Sequence, residues 1–194
     1  ADMTCQPAAD RIAACSAALP LVIPMPTGSA TVGRGTAVIS AGAGLFSAQC
    51  LLGSTGGREE IFRLTVPMGA WDLLLTTDSP GTAGTDPLEP DTVIYVRRAC
   101  TDTSTASAPM EWCDDDIEAG VNQRSAFEIL DVAAGDLFAF VELYGGSAPV
   151  DGGARVELAA TLRPVLSTGA ACDPSGDDNR CAMGDCPVAT RVCP

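Results

Sequence analysis

Residues 59–66, Glu-Glu-Ile-Phe-Arg-Leu-Thr-Val, alternate in character: Phe62, Leu64 and Val66 fall on one side, Arg63 and Thr65 on the other. A period of two is the side-chain repeat of a β-strand with one buried face. Residues 154–164 repeat the pattern, setting Val156, Leu158, Ala160 and Leu162 against Arg155, Glu157 and Ala159. Between them, 70–78, 91–100, 125–132 and 136–145 read as four more strands. Ala133-Ala134-Gly135 predicts a tight hairpin between the last two of these. The only helical turn expected lies around Ala8 to Ala14, and residues 21–50, rich in Gly, Ser, Thr and Pro, read as short strands and loops. Closely spaced strands without a long amphipathic helix predict an all-β, antiparallel, jelly-roll-like β-sandwich.

Composition changes after Pro164. Four of the nine cysteines fall within 22 residues, Cys172 to Cys193, among few large apolar side chains. Such a segment has too little apolar material for a core and must be held by cross-links. The chain therefore divides into a Cys/Gly-rich N-terminal segment (1–57) that packs on or completes the sandwich, a sandwich (58–166), and a cysteine-rich tail (167–194). Cysteine at this density is expected in an oxidising compartment, and a chain beginning at Ala1 reads as a mature or excised secreted protein. No stretch reaches the roughly 18 apolar residues of a membrane-spanning helix, so no membrane insertion is expected.

The charge balance and two missing residue types narrow the function. A net charge of −14 repels phosphate backbones and anionic lipid, which makes nucleic acid an unsuitable partner. The chain has no histidine, which removes the usual general base and any Ser-His-Asp or Cys-His arrangement. All eleven basic residues are arginine, so Schiff-base chemistry and a P-loop lysine are absent too. Glu60, Glu128, Glu142 and Glu157 could supply a glycosidase-like carboxylate pair, but strand alternation assigns them to outward faces. No GxSxG or metal-protease motif occurs. The expectation is a protein that is not an enzyme.

The stretch from Glu59 to Arg163 runs EEIFRLTV, DTVIYVRRAC, EWCDDD, SAFEILDVAAGDLFAFVELYG and GGARVELAATL. This order resembles the bacterial pre-peptidase C-terminal domain, in the disulfide-bearing version of large secreted myxobacterial-type proteins. The tail CDPSGDDNRC is similar to the cysteine-rich knuckles between such modules. The resemblance implies a non-catalytic, jelly-roll-like accessory module of secreted or cell-surface proteins, with relatives that use calcium to bind collagen.

Two groups of residues carry the candidate chemistry. Asp114, Asp115 and Asp116 follow Cys113 directly, and Asp91 opens the strand leading to Cys100. These carboxylates either cap a turn by accepting backbone N–H bonds or hold a calcium ion, which takes six to eight oxygens. Adjacent side chains diverge, so all three of the run are not expected on one ion. The second group is the cysteines. Cys100 and Cys113 bracket a loop between strand-like segments and are expected to pair, with Cys15 pairing to Cys50. Cys172, Cys181, Cys186 and Cys193 have the spacing C-x8-C-x4-C-x6-C, which lacks the C-x2-C pairs of zinc ribbons. They are expected to form two disulfides, in any of three connectivities. Nine is odd, so one sulfur remains: Cys5, or a tail cysteine if Cys5 closes onto the tail. Trp71, Trp112 and Tyr144 could line a sugar-binding face, but core or hairpin packing is their default role.

The resulting expectation is a secreted or bacterial cell-surface module of structural or adhesive kind. Its partners would be copies of itself in an extracellular fibre, or neighbouring modules of a tandem array. The alternative is a calcium-dependent module that binds an extracellular glycan or protein.

Overall fold

The period-two segments form strands, and the strands form a sandwich. The computed structural model describes residues 6–40, 44–46, 48, 58–77, 90–101, 112–117, 123–144 and 153–194. In chain order the elements are α1 (Gln6–Ser16), β1 (Leu19–Pro20), β2 (Thr31–Ile39), β3 (Glu59–Val66), β4 (Trp71–Thr76) and β5 (Thr92–Arg97). They continue with β6 (Cys113–Asp114), β7 (Ala126–Ile129), β8 (Gly135–Leu143), β9 (Ala154–Leu166) and β10 (Arg180–Cys181). One sheet has the order β1-β3-β8-β5-β6; the other runs β10-β9-β4-β7, with β2 also on β9. The chain passes from one sheet to the other at nearly every connection, as in a jelly roll. The long ladders are antiparallel, but β1 joins β3 and β10 joins β9 in parallel over two residue pairs each.

The inward set named from alternation lies in the core. Phe62, Leu64, Val66, Leu158, Ala160 and Leu162 pack there with Leu73, Leu75, Ile94, Val96 and Val141. Fully burying one such side chain is worth roughly 1.5–3 kcal/mol, so the interleaved inner faces are the main source of stability. The first sheet is covered on its outer face too. Ile61, Val93, Tyr95 and Phe140 pack there against Phe46, Ala48, Ala14, Cys15 and Ala18. A cap of α1 and residues 44–46 thus explains why β5 is buried nearly throughout, rather than on alternate residues.

The hairpin expected at Ala133-Ala134-Gly135 is not one. β7 pairs with β4 and β8 pairs with β3 and β5, so the chain crosses between sheets here. Asp131 takes a left-handed φ of 50°, Val132 N donates to Trp71 O at 2.8 Å, and Gly135 has φ 117°. These conformations turn the strand across the sandwich edge, where a two-strand turn would have kept both strands in one sheet.

The expected pairings of Cys15 and Cys100 are also corrected. Cys15 bonds Cys100, with Cα atoms 5.7 Å apart, instead of Cys50 and Cys113. Cys113 stands opposite Tyr95 in the β5–β6 ladder, five residues before Cys100, whereas α1 crosses directly over Cys100. Cys113 is disulfide-bonded as well. Cys5 and Cys50 lie outside the described residues. In the tail, Cys172 pairs with Cys186 and Cys181 with Cys193.

The tail is anchored to the sandwich by charge as well as by strand pairing. Asp72 is fully buried on β4. Its carboxylate accepts from Arg180 Nε at 2.7 Å, Arg163 Nη2 at 3.0 Å and Asp131 N at 2.9 Å. Burial alone would raise its pKa; the bonds from Arg180, Asp131 N and Arg163 outweigh burial and hold it below the usual range.

Candidate metal site

The residues around Asp91 are fixed by a buried hydroxyl network. Thr77, Thr92 and Ser125 are all buried. Thr77 Oγ1 lies 2.7 Å from Thr92 Oγ1 and accepts from Ser125 N at 3.0 Å. Ser125 Oγ is shared between Thr92 O and Asp115 O, the latter at 2.9 Å. Thr92 N donates to Gln123 O at 3.0 Å, and Ile117 N to Arg124 O at 2.6 Å. The 112–117 segment, the start of β5 and the entry to β7 are thereby tied into one corner. On the other side of Asp91, Tyr144 N donates to Asp91 O at 3.0 Å.

The corner separates the acidic run. Asp114 turns away, its Oδ2 accepting from Ala126 N at 2.8 Å, which is the turn-capping role. Asp91, Asp115 and Asp116 converge instead, each offering a carboxylate oxygen within 4.8 Å of the others. Oxygens sharing one calcium at about 2.3–2.6 Å lie at most about 5 Å apart, so this spacing suits a common ion. Asp91 Oδ1 and Asp115 Oδ1 are buried from solvent and have no hydrogen-bond partner among the described residues. Burial, with the charges of Asp116 and Asp115 behind it, pushes Asp91 up to about 6. Burial and the same kind of repulsion raise Asp115, and burial raises Asp114 against its backbone bonds. An all-oxygen, anionic, partly dry donor set fits a hard divalent cation, with waters or carbonyls completing the shell.

The other candidates fall elsewhere. Sulfurs of Cys172, Cys181 and Cys186 also cluster within 4.8 Å, but all three belong to disulfides and offer no thiolate to zinc. Glu128 and Glu157 face outward and pair with Arg163 and Arg34. Glu142 points out of the sandwich as alternation requires, yet it is 0% exposed because the cap covers it, so it is not a solvent-facing residue. Glu60 shares the strand face of Phe62 and is partly buried beside a cavity under α1, so it is not outward-facing either. Trp71 and Trp112 pack against the core, and Trp71 Nε1 donates to Pro67 O at 3.1 Å. Nothing in the sequence marks Ser125, Thr77 and Thr92, whose role depends on contacts 10 to 48 residues apart.

No family model matches the chain, and no curated protein does. Among solved structures, the crystal structure of Aeromonas hydrophila PliG, a periplasmic lysozyme inhibitor of g-type lysozyme, is similar at a TM-score of 0.36 and 10% identity. That match covers 75% of this chain and 93% of the other, and a likeness at this score carries no argument.

Proposed function

We propose that this chain is a non-catalytic, secreted β-sandwich module of structural or adhesive kind, and that Asp91, Asp115 and Asp116 bind calcium. The observation that carries the calcium reading is the pair of buried carboxylate oxygens, Asp91 Oδ1 and Asp115 Oδ1, left without a donor. A buried acceptor without a partner costs about 1–3 kcal/mol, more when charged, and a cation supplies the missing interaction. The disulfides support a place in an oxidising, extracytoplasmic compartment, where free calcium is plentiful; the bacterial cell surface is the site we infer. Isothermal titration of calcium into chelator-treated protein tests the reading. A one-site heat that disappears in Asp91→Asn supports it, and silence up to millimolar calcium rejects it.

A second reading rests on the odd number of cysteines, nine. They cannot all pair within one chain, so one sulfur is available to another copy or a neighbouring module. A head-to-tail contact that does not close gives a filament. Reductant-sensitive multimers on non-reducing gels, with matching growth in light scattering, are the outcome this reading requires. A monomer with one titratable thiol at high concentration eliminates it.

A further inference from the structure

The capped face of the first sheet holds a second acidic pair. Glu59 on β3 and Glu142 on β8 stand directly opposite in the ladder. Glu142 is fully buried and Glu59 nearly so. Glu59 is occupied by the cap: its carboxylate accepts from Leu45 N at 2.8 and 3.1 Å. The Tyr95 hydroxyl, diagonal to Glu142, is the polar neighbour of its carboxylate, and no other described group donates to either oxygen.

Few charges face this pair. β3 contributes Glu59, with Arg58 and Glu60 beside it on the wall of a cavity of about 340 Å³ under α1. β5 contributes Tyr95 and Arg97, whose guanidinium lies over the rings of Tyr95, Phe140 and Phe46 at 5.1, 5.2 and 5.6 Å. From the cap, Arg11 donates to Leu45 O at 2.7 Å, and Asp10 lines the cavity. Burial first, and Glu59 second, push Glu142 up to about 8, while Arg97 and the Tyr95 hydroxyl draw it down. Glu59 is raised as well, by burial, against the bond from Leu45.

We propose that Glu59 and Glu142 share one proton, and that this proton latches the cap of α1 and residues 44–46 over the first sheet. Two like charges facing each other in an apolar setting cannot both be ionised cheaply. When the shared proton leaves to water, the second charge can be hydrated only by admitting solvent. The element covering this face is the cap, held by the Leu45 bonds, the Arg97 stack and Cys15–Cys100, and it is the cap that must move to admit water. The disulfide keeps α1 tethered while the cap opens and bares Phe46, Tyr95 and Phe140.

Hydrogen exchange, expressed as protection factors between pH 6 and 9.5, tests the latch. Asp91→Asn is used as background so that the acidic corner does not contribute. Protection of α1 should fall at least tenfold between pH 7 and 9, while β9 stays unchanged; adding Glu142→Gln should keep α1 protected throughout. Flat protection without Glu142→Gln, or the same fall with it, overturns the proposal. Should Glu142→Gln not fold, infrared spectroscopy of the unsubstituted protein decides. A protonated-carboxyl band at pH 7 that bleaches by pH 9 is required, and its absence at pH 7 refutes the shared proton.

Discussion

At Asp91 the physics of a single carboxylate sets the pH behaviour of the corner. Its folded value of about 6 exceeds the ordinary 3.8. The folded state therefore binds this proton more tightly than the unfolded chain does. In cation-free protein, Asp91 stabilises the fold fully below about pH 4, and that contribution is lost as pH rises through 6. Chelator-treated protein should melt at higher temperature at pH 5 than at pH 7, and Asp91→Asn should reduce that difference. Asp72 is the opposite case, a buried carboxylate already satisfied by two arginines. Asp72→Ala would leave Arg163 and Arg180 without their shared acceptor. Breaking a buried pair costs on the order of 3–5 kcal/mol, and the partly exposed guanidinia put this one near the lower figure. Urea unfolding measures it, and a loss below about 1 kcal/mol would show that the tail is not anchored through Asp72.

Elements differ in how openly the sequence announces them. β3 and β9 are legible because their inner faces are apolar and their outer faces are not, so Phe62, Leu64, Leu158 and Leu162 reveal their own side. β5 and β8 are legible as strands, but their capped outer face is hidden, because Tyr95 and Phe140 look the same whether a cap or a partner covers them. Ala133-Ala134-Gly135 suits a hairpin, but left-handed Asp131 sends the β7–β8 connection across to the other sheet. Proximity in sequence favours Cys113 for Cys100, but α1 brings Cys15 to it instead, whereas the tail cysteines pair among themselves as expected. Of the acidic run, Asp114 and Asp115 differ only in what Ala126 N and Ser125 reach, which residue types do not encode. Two predictions belong at this scale. Cys15→Ser with Cys100→Ser opens a crosslink spanning 85 residues, worth about 4.5 kcal/mol in the chain-entropy model. A peptide map that instead links Cys100 to Cys113 would contradict the topology. Gly33→Ala would place a Cβ 2.4 Å from Val22 O, where the β1–β2 connection crosses β2. Such overpacking costs about 1–3 kcal/mol, readable as a lower urea midpoint.

At the scale of the molecule, the sandwich, the stapled tail and the acidic corner form one arrangement. Disulfides hold the segments that lack a core, Asp72 clamps the tail to β4, and hydroxyls hold Asp91 and Asp115 beside Asp116. The central claim is that this corner is built around a cation. Thermal unfolding at pH 7, with and without calcium, tests it most directly, in the unsubstituted chain and in Asp91→Asn with Asp115→Asn. Calcium at a hundredfold excess over its dissociation constant adds about 2.7 kcal/mol, or roughly 5–10 °C for a chain of this size. The account predicts that rise in the unsubstituted chain, its reversal by chelator, its shrinkage at pH 5, and no rise in the double variant. An unchanged melting temperature with saturating calcium, or an equal rise in the double variant, would contradict it.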